Sequence, residues 1–198
     1  LAYGRFQYEW DWAGAEEEFR LGLRLNPNYV PGHYWFARYL AAMRRFEEAF
    51  DHMEQARALD PLSLVVNTYH AWICYFSRDY DQAIERFRKA LELDPGFSIA
   101  SIFLGLALLQ KGLSKQAIEA LARGSEASGF HPGAVSALAS AYALDGKKAE
   151  ARKALERVQA SASQRYVSPY YRALALLALG EKDSALDWLE KACEERSG

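Results

Sequence analysis

The strongest constraint on this chain is a column of six alanines, Ala15, Ala49, Ala83, Ala117, Ala151 and Ala185, each 34 residues after the one before. A fixed step of that length through a whole sequence marks stacked helical hairpins, each too small to bury its apolar side alone. Other columns keep the step. Four residues after each alanine stands a large apolar side chain (Phe19, Met53, Phe87, Leu121, Leu155, Leu189), and three further on a small one (Gly22, Ala56, Ala90, Gly124, Val158, Ala192). Spacings of four and three place all of these on one stripe of a helix, the second of each hairpin, facing the core. Twelve residues before each of the last five alanines sits another small residue (Ala37, Ala71, Gly105, Ala139, Ala173), where the first helix presses against its partner.

Punctuation follows the same period. Pro27, Pro61 and Pro95 close the first three units, where proline stops one helix and its fixed torsion helps begin the next. Gly112, Gly146 and Gly180 fall in turns inside later units and suit a left-handed, helix-ending conformation.

The pattern of small residue, alanine, large residue, small residue and proline resembles the tetratricopeptide repeat over essentially the whole chain. The resemblance implies an all-α, right-handed superhelical solenoid of helix-turn-helix repeats, five complete and one truncated at its N-terminal side. The expected units of this single array are 1–29, 30–63, 64–97, 98–131, 132–165 and 166–198. Departures are local. Gly129 and Ser163 stand where the fourth and fifth units should have proline, and Ala2 to Ala15 is 13 residues, one too many. The extra residue is expected within Tyr8-Glu9-Trp10-Asp11-Trp12, making the first turn irregular.

With 51% hydrophobic residues the 198-residue chain has enough apolar side chains for a continuous core. Its net charge of −2 comes from interspersed acids and bases. No basic stripe can track a phosphate backbone, so nucleic-acid binding by this segment is not expected. The two cysteines, Cys74 and Cys193, lie far apart, which argues against a disulfide framework and for a reducing, cytoplasmic setting. The longest apolar run, around Ile102 to Leu109, is too short for a membrane span. The chain begins at Leu1 inside an expected first helix and reads as a domain excised from a longer protein; a membrane segment ahead of it could place it outside the cytoplasm.

Catalysis, cofactors and metals find no support. His33 and His70 fall on packing sides of first helices, His52 on an outward side of a second helix, and His131 in a turn beside Pro132. They read as scattered over different units, without the close spacing of a zinc site. Cys74 takes a core position and reads as a small buried hydrophobe. No phosphate-binding glycine loop, nucleophile elbow or paired-carboxylate arrangement is present, so the chain reads as a non-enzyme without cofactor or metal.

The first helices are apolar on two sides. In the third unit Asn67, His70, Ala71 and Cys74 point towards the second helix, while Val65, Thr68, Tyr69, Trp72 and Phe76 point away. The unit before offers Pro31, Tyr34, Trp35, Arg38 and Ala42 on that opposite side, and the unit after offers Ile99, Ile102, Phe103, Leu106 and Gln110. An apolar surface of this size is either covered by neighbouring first helices or left as an interaction site for a protein or peptide. Trp72, Tyr69 and Tyr34 are the candidate anchors and Arg38 the hydrogen-bonding group. Dimerisation through the patch, and a structural role in which the parent chain fills the groove, are the competing readings.

Members of the family that hold the acidic tail of heat-shock chaperones use Lys, Arg and Asn on three successive first helices. Here the matching faces carry Tyr34, Arg38, Trp35, Thr68, Tyr69, Ile99 and Phe103, so the lysines are missing and Arg38 alone should hold a carboxylate weakly. The runs Tyr8-Glu9-Trp10-Asp11-Trp12-Ala13-Gly14-Ala15-Glu16, His33-Tyr34-Trp35-Phe36-Ala37, Tyr166-Val167-Ser168-Pro169 and Leu179-Gly180-Glu181-Lys182 resemble a bacterial subgroup of arrays. Those arrays lie behind winged-helix, serine/threonine kinase or cyclase domains, which implies a docking module in bacterial signalling or transcription regulation.

Overall fold

The structure, a computed structural model, describes residues 1–162 and 166–197, and Ser163 lies outside them. Every regular element among the described residues is a helix, and the helices divide into two compact units, Leu1–Asp94 and Pro95 onward. The first unit holds α1 (Ala2–Gly4), a π turn (Arg5–Glu9), α2 (Trp12–Leu25), α3 (Val30–Ala42), α4 (Phe46–Leu59), α5 (Leu64–Phe76) and α6 (Tyr80–Leu93). The second holds α7 (Ser98–Gln110), α8 (Ser114–Ala127), α9 (Pro132–Leu144), α10 (Lys148–Ser161), α11 (Pro169–Ala178) and α12 (Lys182–Glu194).

All six alanines of the defining column are at most 1% exposed, at the contact between the two helices of each hairpin. The partner column is as tight: a methyl group built on Gly105 would collide with Leu121 and lie 3.1 Å from the carbonyl oxygen of Ala117. Helix approach this close explains why only Ala and Gly occupy these positions. Two stripe positions depart from the expectation. Gly22 is exposed with no atom near its Cα face, because the helix opposite it starts only at Ala2, and Leu189 is only partly buried.

Between hairpins the prolines act through the residue ahead of them. Asn26, Asp60 and Asp94 are forced out of the helical region, at φ/ψ of −140/88, −144/80 and −141/96, which ends α2, α4 and α6. Where the fourth unit lacks proline, α8 ends through two successive left-handed residues, Gly129 and Phe130.

Inside the hairpins the left-handed turn is a complete column, at Trp10, Arg44, Arg78, Gly112, Gly146 and Gly180, with φ between 57° and 84°. In five hairpins the amide after this residue bonds a carbonyl five residues back, as in Arg45 to Leu40 and Asp79 to Cys74, both at 2.9 Å. In the first hairpin Asp11 N bonds Arg5 O, six residues back, at 3.1 Å. The extra residue is therefore absorbed by the π turn, whose wider winding holds one residue more than an α turn. It lies mostly ahead of the segment expected to carry it, with Trp10 completing the turn.

Candidate functional site: an aromatic face around Arg38

The π turn decides what meets Arg38. Residues ahead of it are displaced by one position, so Ala2 takes the small-residue column of Ala37 and Ala71, and Tyr3 takes the column of Arg38 and Trp72. The Arg38 Cζ atom lies 5.7 Å from the Tyr3 ring centre, 5.5 Å from Trp72 and 5.5 Å from Trp35 on its own helix. Rings at these distances attract a cation through their negative faces, by about 0.5–2 kcal/mol each depending on desolvation. Arg38 Nη1 also donates to the Tyr3 hydroxyl at 3.4 Å.

The rings continue outward from Arg38. Trp35 lies 4.4 Å from Tyr3 and 5.5 Å from Tyr69, Tyr69 stacks on Tyr34 at 5.1 Å with planes 6° apart, and Trp72 contacts Phe76 at 4.0 Å. Tyr34, Trp35, Tyr69 and Trp72 are partly buried against the unit's core, while Phe76 and Val65 are open to water at 43% and 38%. Burial holds the Tyr69 hydroxyl above its ordinary pKa, opposed by the charge of Arg38. Thr68, expected on this face, is only 3% exposed, so it is packed inside the unit and not on the open surface.

Across the hairpin from these rings the charges are paired. Arg45 bridges Glu16 at 2.8 Å and Glu48 at 2.6 Å, Arg20 reaches Glu16 at 2.6 Å, and the Tyr39 hydroxyl donates to the Trp12 carbonyl at 3.0 Å. Arg45 holds the carboxyls of Glu16 and Glu48 below their ordinary pKa. Phe6 stands edge-on to Tyr39 at 5.5 Å, so the first hairpin is anchored to α3 by both ring and hydroxyl.

The remaining expected residues lie on α7, in the second unit. Ile102, Phe103 and Leu106 are partly buried and Gln110 is exposed. Ile102 and Leu106 also pack against Leu121, Ala137 and Ala141, so part of their apolar surface serves the unit's own core.

Two of the four histidines meet, whereas His70 and His131 stand apart. His33 and His52 belong to the same hairpin, and their Nδ1 atoms meet at 3.0 Å, which corrects the outward placement of His52. His70 is buried under Phe50, 3.7 Å from a Glu54 carboxylate oxygen. Burial, the nearby His33 and Arg20 lower the His52 pKa to about 4; burial and Arg86 lower that of His70 to about 4. Among the described residues no three His, Cys, Asp or Glu side chains gather where a metal ion could sit. No described helix is long and apolar enough to cross a membrane.

Tyr3 is the site residue that sequence reasoning missed. Its signal was the single excess residue between Ala2 and Ala15, which moves Tyr3 into Arg38's column once the insertion is placed after it.

Comparison with known proteins agrees with this architecture. Family models of the tetratricopeptide repeat match residues 77–132 and 136–198. Human tetratricopeptide repeat protein 13 is 34% identical over 83 residues, 42% of this chain, and the chain spans 10% of that protein's length. Among solved structures, PilW, a widely conserved type IV pilus biogenesis factor, matches with a TM-score of 0.72 at 21% identity, over 96% of this chain and 88% of that one. Pseudomonas aeruginosa pilF gives a TM-score of 0.68 at 19% identity, over 96% and 86%. YrrB, a TPR protein with an unusual peptide-binding site, gives 0.56 at 20%, over 89% and 91%. At these identities the structural likeness is one of fold. The alanine column, the helical hairpins and the matching repeat models together place the chain in the tetratricopeptide repeat family.

Proposed function

We propose that this chain is a non-catalytic docking module whose aromatic face, built on α1, α3 and α5, binds a peptide or helical segment of a partner protein. Tetratricopeptide repeat proteins are in general scaffolds for protein–protein contact, and one structural relative, YrrB, is described by its peptide-binding site. The observation that carries the reading is the run of rings from Tyr3 to Phe76, with Tyr3, Trp35 and Tyr69 in tilted contact, Trp72 and Phe76 joined to them through Arg38, and the outer end open to water. Contiguous apolar surface of this kind is uncommon on soluble proteins unless something binds it. In the second unit Ile102, Phe103, Leu106 and Gln110 on α7 are proposed as a separate contribution to partner contact. A bacterial signalling or transcription regulator is the setting in which we place the module.

The test is Trp72→Ala. The purified variant is expected to keep its helicity and cooperative unfolding but to lose capture of peptides selected on the wild-type chain from a random display library. Loss of cooperative unfolding instead would make Trp72 a core residue and sink the reading. Light scattering on the wild type at rising concentration completes the test, since a dimer that Trp72→Ala dissolves would assign the face to a second copy.

A further inference from the structure

Arg38 is a held cation with no anion beside it among the described residues. In the same unit Arg5, Arg20, Arg45 and Arg57 each reach a carboxylate within 4.0 Å. Around Arg38 the described neighbours are Tyr3, Trp35, Trp72 and Tyr69, and no described carboxylate lies at ion-pair distance. Rings take the faces of a guanidinium, whereas its five N–H donors point outward along its edge. A carboxylate pairs along that edge, in plane and through two parallel hydrogen bonds. A charge part-buried among apolar rings, with edge donors to spare, is complementary to an acid arriving with an apolar neighbour.

We propose that Arg38 anchors a carboxylate on the segment bound to the aromatic face, and that Tyr3, brought into its column by the π turn, is the positioning residue that fixes the guanidinium plane. The inference rests on the peptide-docking reading above and names the chemistry of the partner. Taken alone in the sequence, Arg38 is a flexible side chain whose ordering would offset most of what one ion pair contributes. In the structure the ordering is already done: three rings, of Tyr3, Trp35 and Trp72, lie within 5.7 Å of Arg38 Cζ, and the Tyr3 hydroxyl accepts from Nη1. Holding a donor in its bound geometry before the ligand arrives is what makes a single charged contact specific. The bound segment therefore carries an acid next to an aromatic or aliphatic residue, the acid on Arg38 and the apolar side chain on Trp72 and Phe76.

The experiment uses the full chain and a random peptide library displayed with a free C-terminus. The tightest selected peptide is synthesised, and its dissociation constant is measured by fluorescence anisotropy for the parent peptide, for each Asp→Asn or Glu→Gln change, and for the C-terminal amide. One of these changes is expected to weaken binding about tenfold or more. Loss in an Asn or Gln peptide identifies a side-chain acid, and loss in the amide identifies a terminal carboxylate. Against Arg38→Gln the parent and neutralised peptides should bind alike, which assigns the whole loss to this pair. Tyr3→Ala should shrink the ratio between the parent and neutralised peptides' affinities, whatever it does to both. Circular dichroism and melting of each variant serve as fold controls. Selected peptides that need Trp72 but lose nothing on neutralisation would overturn the inference and leave the docking reading standing. Failure to select any peptide would remove both.

Discussion

His33 reaches back to the loop ahead of its own helix, where its Nε2 meets the carbonyl oxygen of Pro27 at 2.7 Å. One repeat later Asn67 occupies the same column and its Nδ2 donates to the Pro61 carbonyl at 3.2 Å. The contact is a recurring tie between a first helix and the proline loop before it. Because a carbonyl only accepts, Nε2 of His33 carries a proton, so when the ring is neutral its Nδ1 accepts and Nδ1 of His52 donates. Asn67→Ala removes the tie and the Ser63 carbonyl contact at 2.9 Å, and should cost about 1 kcal/mol in urea unfolding.

His52 and His70 set a direction for the pH dependence. Both have folded pKa values of about 4 against an ordinary 6.5, so the folded state binds fewer protons than the unfolded chain in between. Stability is then full above about pH 6.5 and falls as the pH drops towards 4. For the better buried His70 the drop is on the order of 3 kcal/mol, and less for the wetter His52. His70→Leu, which copies Leu104 in the same column, should flatten the profile between pH 6.5 and 4.5, above the range where the carboxylates titrate. From Pro95 onward the sole histidine is His131, which is exposed, so the effect belongs to the first unit.

Arg44 and Arg78 hold the left-handed turn at φ of 61° and 69°, both with exposed side chains. An L-residue there costs about 1–2 kcal/mol relative to glycine. Arg44→Gly and Arg78→Gly should each raise stability by about 1 kcal/mol, read as a higher melting temperature. Gly112→Ala should lower it by a similar amount, through backbone strain alone, since no atom lies within 4 Å of where the methyl would go. Neutral outcomes at all three positions would contradict the turn geometry.

Ala83 has no exposed surface and stands at the contact between α5 and α6. Ala83→Leu should overpack it and cost about 1–3 kcal/mol in thermal unfolding. A neutral result would mean that the repeat register is wrong.

What the sequence made legible was whatever the period repeats. The alanine column could be read because six in-step copies check one another, and each is buried. The left-handed column could be read only in its glycine half. Gly112, Gly146 and Gly180 advertise a positive φ, whereas Arg44 and Arg78 do not, since arginine is chosen for many other reasons. The histidine pair escaped because His33 and His52 sit on facing helices, 19 residues apart, and nothing local in their spacing records the turn that joins them. Thr68 was placed on the open face by helical angle alone, which takes no account of packing by neighbouring helices. The insertion near Tyr8 was visible as a count. Which side chains it displaced depended on the winding that absorbed it.

A repeat array is a lattice in one dimension, and the π turn is its dislocation. One added residue in an ordinary helix would rotate everything ahead of it by about 100°. The wider turn takes up that slip within five residues and returns Ala2 to the contact column. The local cost falls on a few backbone bonds, and Tyr3, not Gly4, stays opposite Arg38. In an array of this kind, one added residue need not disturb the surface ahead of it, provided the backbone can widen a single turn.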